Sequence, residues 1–230
     1  MRGRTTRRRR RGSKRLRGGK VLVPTFHIVI ATAGRPRLEG MINSLRGELK
    51  EGDGLTIIFD GKNAKKNSGF SDEWIAGIKA QFHMIEQIPG LKHYGHASLN
   101  KYARHVKPET TFVMFADDDD TYVAGSFDIL RKKCVNPETL YMAKMKNVEK
   151  NLIIPDMGLK EIVLNHIGKP NGIVPYRDVG KAEFGINSYG GDYEYYRSLK
   201  DKVKEIVFLD DIIYTIGTDG GNAKNGNNNS

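Results

Sequence analysis

Phe112-Val113-Met114-Phe115-Ala116 runs without a break into Asp117-Asp118-Asp119-Asp120. An apolar run of this length, rich in aromatic and branched side chains, predicts a fully buried strand. Four adjacent carboxylates cannot share that burial, because they repel one another and lose their hydration. They belong at the strand's carboxyl end, facing water or a cation. In open α/β sheets ligands bind at that edge. A hard divalent ion such as Mg2+ or Mn2+ takes carboxylate oxygens from one or two side chains and shares the rest with substrate phosphates. The run therefore predicts a metal-binding Asp-x-Asp opening on a substrate cleft. A solvated acidic turn capping the next helix is the competing reading.

Working outward, the preceding chain repeats one unit. Phe26 to Thr32 reads as a first strand, ending in the turn Ala33-Gly34-Arg35-Pro36, with Pro36 suited to a first helical position. Leu38, Met41, Ile42, Leu45 and Leu49 follow at helical spacing. Leu55 to Phe59 is a second strand that stops at Asp60-Gly61. Strand, helix and strand at this spacing predict a right-handed parallel unit. Ser71-Asp72-Glu73 opens a helix, Phe82 to Ile88 is a third strand, and Leu99, Tyr102, Ala103 and Val106 place a helix near 96–106. Beyond the acids, Val123, Phe127, Leu130 and Cys134 mark another helix. The pattern is α/β: a doubly wound, mostly parallel sheet with helices on both faces.

The second half is less regular. Thr139 to Lys146 alternates like a strand, and 152–165 is ambiguous. Residues 168–180, with Pro170, Gly172 and Pro175, read as a loop. Ala182 to Ile186 is a candidate strand, Gly190-Gly191-Asp192 leads into a helix, and Glu205 to Leu209 is the last strand.

Charge divides the chain sharply. Residues 1–20 hold eleven of the 38 basic residues and no acid, leaving 27 basic against 27 acidic residues in the remainder. The tail should be disordered. Its five consecutive arginines, Arg7 to Arg11, suit an anionic surface, nucleic acid or lipid, and a nuclear-localisation reading is open too. A neutral body lacks the basic footprint of a nucleic-acid-binding domain. A single cysteine, Cys134, excludes a disulfide framework and suits a reducing compartment. With no apolar run of eighteen residues and no apolar segment after the basic start, neither a membrane span nor a secretory signal is predicted, and the expected location is cytoplasmic. The division expected is a tail at 1–20, one domain at 21–216 and a mobile Gly/Asn-rich segment at 217–230.

The order of these signals resembles the family 2-like, GT-A fold glycosyltransferases, which move a sugar from a nucleoside diphosphate. Thr32-Ala33-Gly34-Arg35-Pro36 is similar to the family's Thr-x-x-Arg turn, and Asp60 stands where the family contacts the nucleotide base. Asn100-Lys101 is similar to the family's Arg-Asn-x-Gly helix, with Leu99 in place of Arg and Tyr102 in place of Gly. Asp117-Asp118-Asp119 resembles the Asp-x-Asp, and Gly191-Asp192-Tyr193-Glu194 the motif carrying the catalytic base.

The resemblance implies a donor half at 21–135 and an acceptor half at 136–216. It implies a metal, Mn2+ or Mg2+, held by Asp119 with help from Asp117, and a UDP-linked donor. Thr32, Ala33, Gly34, Arg35, Asp60, Asn100, Lys101, Asp117 and Asp118 are then donor residues. Asp192 is the base for single displacement with inversion at a glycan or other hydroxyl acceptor, with Glu194 as rival. Tyr189, Gly191 and Tyr193 would lie on the acceptor side. Because four Asp adjoin, the metal frame can slip to Asp118 and Asp120. The basic or His-containing segment that the family carries after its last strand is replaced by Gly217-Thr218-Asp219-Gly220-Gly221.

Plainer readings compete at several positions. Asp192 suits a helix N-cap, Asp60-Gly61 an ordinary turn, and Arg35 a surface site, although its guanidinium is the natural phosphate fork. His93 and His96 read as loop and helix surface, and His166 as packing or surface. Tyr189, Tyr193, Tyr195 and Tyr196 fit either sugar stacking or helix packing. Two other functions remain open: a nucleotidyltransferase, for which the first turn is too short, and a nucleic-acid-associated protein acting through the tail.

Overall fold

A computed structural model describes residues 23–61, 63–71, 73–74, 77, 81–85, 95–103, 110–186 and 190–217. The basic tail, Tyr189, His93 and the segment from 218 onward lie outside the described residues. In chain order the elements are β1 (Phe26–Thr32), α1 (Leu38–Leu45), β2 (Gly54–Asp60), α2 (Ala64–Asn67), β3 (Gln81–Ile85), α3 (His96–Tyr102), β4 (Phe112–Ala116) and β5 (Thr121–Tyr122). Then come α4 (Ser126–Lys133), β6 (Thr139–Asn147), β7 (Leu152–Ile154), β8 (Gly172–Pro175), α5 (Gly191–Lys200) and β9 (Glu205–Ile216). Two 3-10 segments, Lys169–Asn171 and Tyr176–Lys181, flank β8.

One sheet runs β3-β2-β1-β4-β8-β6-β9-β5, with β7 paired to β6. The first four strands are parallel, and β8 enters antiparallel between β4 and β6. β6 and β9 are again parallel. The β4 run is buried at every residue because helices cover both faces of the sheet. Phe26, Ile28 and Ile30 pack with Leu38, Met41 and Leu45 of α1 and with Phe127 and Leu130 of α4. Val29, Val113 and Phe115 face the other way, onto Leu99 of α3 and Tyr195, Tyr196 and Leu199 of α5. The period-two alternation of strand side chains thus builds two cores from one sheet. Each fully buried large apolar side chain contributes about 1.5–3 kcal/mol. Cys134 is a buried core residue, as its helical spacing predicts.

The second half departs from expectation in three places. The loop expected at 168–180 contains β8, buried along its whole length in the middle of the sheet. Its Gly172 hides the strand signal. A Cβ there would stand 2.2 Å from the Tyr196 ring, so glycine is what lets α5 lie on the strand. Ala182 to Ile186 is not paired in the sheet. Phe184 is held by aromatic packing, stacked on Tyr195 at 4.2 Å and edge-on to Phe115 at 5.0 Å. The last strand runs seven residues past Leu209, to Ile216. Its register with β6 shifts between Met142 and Lys144, and Asp210-Asp211 sits in that irregularity, where the apolar pattern breaks.

Candidate active site

The register of the central strands assembles the site. Ile30 pairs with Ala116, so the chain beyond β4 passes beside Thr32 at the carboxyl edge of the sheet. Thr32 is buried, and its Oγ1 donates to Asp118 Oδ2 at 2.5 Å while accepting the Gly34 N–H at 3.0 Å. Gly34 has φ +87°, and a Cβ there would lie 1.9 Å from the Ala64 carbonyl oxygen, so only glycine makes this turn. The turn aims Arg35 back at the acids. Its guanidinium donates from Nη2 to Asp118 and from Nη1 to Asp119 at 2.6 Å.

The four acids therefore have four different environments. Asp117 follows β4 with its backbone clamped by Tyr214 of β9: its N–H donates to the phenol oxygen at 3.0 Å, and the phenol donates to its carbonyl at 3.3 Å. Its carboxylate accepts from Lys169 Nζ at 2.5 Å. Asp118 is fully buried. Burial pushes its carboxyl up, against the pull of Arg35 and Thr32. Asp119 stays partly exposed and pairs with Arg35. Asp120 is buried and accepts the Gly217 N–H at 3.3 Å. Burial, with the neighbouring Asp117 and Asp119 charges, pushes it up to about 7.

A cleft of about 880 Å³ opens at this edge. Thr32, Ala33, Arg35, Asp60, Asp117, Asp119, Asp120, Asp192 and Tyr193 line it, so most of the residues singled out from the sequence meet in one place. Asp118 does not reach it, which leaves Asp117 and Asp119 as the Asp-x-Asp pair facing the cavity. Gly34 and Gly191 serve by their lack of a side chain. Asn100 is used elsewhere: its amide donates to the Phe184 carbonyl at 2.8 Å, and its carbonyl accepts the Phe184 N–H at 2.7 Å. Lys101 is exposed and, with Glu194, lies outside the cleft wall. Of the tyrosines, Tyr195 and Tyr196 are core, while Tyr193 faces the cleft with Arg197 over its ring.

Among the cleft residues that escaped the sequence reading are two buried ionisable ones. Lys169 is buried in the 3-10 turn before β8 and salt-bridges Asp117. Burial pulls its ammonium down, but Asp117, Asp192 and Asp118 more than offset that, and the net shift is upward. Its signal was slight, a lysine between Gly168 and Pro170. His96, read as helix surface, is buried instead. Its Nδ1 lies 2.8 Å from the Gly185 carbonyl and its Nε2 2.9 Å from Asp192 Oδ1. The available signal was its spacing. His96 and Asn100 are four apart on one helix, and both reach the 184–185 backbone. His166 is partly exposed, 3.6 Å from Asp156.

Asp192 is the second residue of α5, not its N-cap; Gly190 holds that position. The partly exposed carboxylates of Asp117 and Asp119 offer hard oxygen donors to a cation. No cluster of three His, Cys, Asp or Glu side chains makes a ready metal cage among the described residues. Both features fit Mg2+ or Mn2+, which take few protein ligands and complete their shell with phosphate and water. Among the described residues no helix is long and apolar enough to cross a membrane.

No family model and no curated protein sequence matches this chain. Solved structures do. TarS of S. aureus superposes with a TM-score of 0.64 at 16% identity, over 83% of this chain and 36% of that one. Its residues 1–349 in complex with UDP-GlcNAc give a TM-score of 0.61 at 15% identity, over 86% and 60%. The mannosyltransferase PcManGT of Pyrobaculum calidifontis, in complex with GDP-Man and Mn2+, gives 0.61 at 10% identity, over 85% and 57%. The chain thus spans between 36% and 60% of the length of these structures. At such identities the likeness is one of architecture: this chain has the GT-A fold of nucleotide-sugar glycosyltransferases.

Proposed function

We propose that the protein is a metal-dependent inverting glycosyltransferase that moves a sugar from a nucleoside diphosphate, UDP by preference, to an acceptor hydroxyl. One observation carries the reading: the Asp117 and Asp119 carboxylates after β4 and the Asp192 carboxylate at the start of α5 face the same cleft. The mannosyltransferase neighbour solved with GDP-Man and Mn2+ supports a donor site of this kind.

The charge of the cleft supports the cation. Asp60, Asp117, Asp119, Asp120, Glu149 and Asp192 line it against Arg35, Arg37, Lys150 and Lys169. With Asp120 raised to about 7 and only partly charged near neutrality, the acids still at least match the basic groups, so a diphosphate entering the cleft finds no surplus of positive charge unless a cation comes with it. Asp117 and Asp119 would hold the ion, which when bound neutralises charge developing on the departing diphosphate.

The chain's own residues do the rest. Thr32 fixes Asp118, and Asp118 fixes the Arg35 fork, which is then placed to bind phosphate oxygens. Asp60, at the end of β2 on the cleft wall, would contact the base of the nucleotide. Lys169, already cationic and buried, adds a fixed positive charge toward the leaving group. Asp192 takes the proton of the acceptor hydroxyl as its oxygen bonds to the anomeric carbon. The bond from that carbon to the diphosphate breaks, and its electron pair leaves with the nucleotide.

Calorimetric titration of UDP with and without Mn2+ tests the reading. Binding is expected only with the metal, and Asp119→Asn is expected to weaken it at least about tenfold, the loss of one charge-assisted ligand. Failure of UDP, GDP and dTDP alike to bind in the presence of Mn2+ would refute it.

A further inference from the structure

The surroundings of His96 assign its protons. Nδ1 stands 2.8 Å from the Gly185 carbonyl oxygen, which can only accept, so Nδ1 carries a hydrogen. Nε2 stands 2.9 Å from Asp192 Oδ1. A neutral imidazole protonated at Nδ1 presents a lone pair at Nε2, and a carboxylate oxygen presents another. Those two atoms form a hydrogen bond only if exactly one proton lies between them, as imidazolium with carboxylate or imidazole with carboxylic acid.

The fold holds the imidazole in that one orientation. Phe184 stacks on the ring at 5.3 Å between centroids with planes 19° apart. Gly191 lies against its edge, where a Cβ would come 2.4 Å from Nδ1. Asn100, on the same face of α3, fastens both backbone groups of Phe184 and so fixes the neighbouring Gly185 carbonyl. Among the described residues, the other charged and titratable groups that act on Asp192 are Lys169, in the turn before β8, and Tyr196, on α5 itself.

We propose that His96 is the positioning partner of the catalytic base, and that Asp192 and His96 act as a pair that takes up one proton between them. The inference rests on Asp192 being the base. Before reaction, the unprotonated pair sets the carboxylate against the Nε2 lone pair. When the acceptor O–H bond breaks, its proton goes to the pair and forms the hydrogen bond seen here. The acceptor oxygen bonds to the anomeric carbon, and the diphosphate leaves with the electrons of the bond it gives up. His96 also fixes the rotamer of Asp192, keeping its second oxygen toward the cleft.

Two measurements on the full chain decide the matter. The first is the imidazole nitrogen spectrum of protein labelled with ¹⁵N-histidine, with His96 assigned by difference from His96→Gln. The expected signature is a protonated Nδ1; a bare Nδ1 overturns the proposal whether or not the variants fold. The second is Mn2+-supported release of UDP from UDP-GlcNAc, and of GDP from GDP-mannose, with water as acceptor.

Asn at position 96 can keep the Gly185 bond but is too short for Asp192, whereas the Gln amide reaches Asp192 as a donor. His96→Asn is expected to lower kcat about 10- to 100-fold with donor KM within about threefold, inside the range for general-base catalysis. His96→Gln should recover part of the loss. The double variant with Asp192→Asn should be little worse than Asp192→Asn alone, because the two act as one unit. Wild-type turnover in His96→Asn beside an inactive Asp192→Asn would sink the pair and leave the base in place. No release from either donor by the wild type would remove the base assignment, and this inference with it.

Discussion

At the scale of single residues, neighbouring identical side chains do different work. The sequence offers four aspartates with no way to rank them, because register and burial decide their roles. Asp118 is spent on Thr32 and Arg35, Asp117 and Asp119 face the cavity, and Asp120 is buried beside them. Asp120 carries a testable cost. A carboxyl raised from 3.8 to about 7 destabilises the fold wherever it must ionise. The cost is absent below about pH 4, grows between 4 and 7, and is complete above 7. In metal-free buffer Asp120→Asn should therefore raise stability by about 2–4 kcal/mol at pH 8 and by clearly less at pH 5, read from urea unfolding. An equal gain at both pH values would contradict the assignment. Gly191 makes the opposite case. A Cβ there would stand 2.2 Å from the Gly185 carbonyl oxygen as well as against His96. Gly191→Ala should cost about 1–3 kcal/mol by overpacking. It should also lower turnover while leaving UDP affinity unchanged, since the cleft residues after β1 and β4 are not displaced.

At the scale of elements, the first half of the chain was legible and the second half was not, for a physical reason. β1, β2 and β4 are parallel strands under helices, so their burial on both faces shows as continuous apolar runs. β8 is equally buried but only four residues long, and it carries Gly172 for the Tyr196 ring and Pro175 at its end, which imitate a loop. Residues 182–186 failed in reverse. The stretch has an apolar strand-like composition, yet among the described residues no strand pairs with it: Asn100 bonds both the N–H and C=O of Phe184, and the Gly185 N–H donates to the Gly191 carbonyl at the start of α5. This changes what Asn100 is expected to do. As a donor residue its loss would weaken nucleotide binding. As a strap its loss leaves two backbone groups without partners, at about 1–3 kcal/mol. Asn100→Ala should thus hasten hydrogen exchange at the Phe184 amide and reduce turnover through the Gly185 carbonyl, with UDP affinity within about twofold of wild type. A large loss of UDP affinity with Phe184 protection intact would restore the donor role.

At the scale of the whole molecule, charge is divided between two parts with different consequences. The body is balanced, 27 basic residues against 27 acidic, while residues 1–20 carry eleven positive charges and no negative one. Within the balanced body six acids and four basic residues line the cleft at the carboxyl edge of the sheet, so a nucleotide donor would meet a few fixed groups there while an anionic polymer would meet the arginines. The two attractions should be separable, because the first depends on a few fixed groups and the second on counterion release, which scales with the number of phosphates neutralised. Removal of residues 1–20 should leave Mn2+-dependent UDP binding within about twofold. It should lower affinity for a short DNA duplex at least about 100-fold at 50 mM salt, and most of the salt dependence should vanish with it. If the shortened protein instead loses UDP, the arginines contribute to the donor site, and the shortage of basic groups in the cleft is made good from the tail. If it keeps its affinity for DNA, the balanced body holds a basic surface of its own. The decisive reading is the salt slope measured on both forms, since a specific pocket contact changes affinity without changing that slope by more than about one unit.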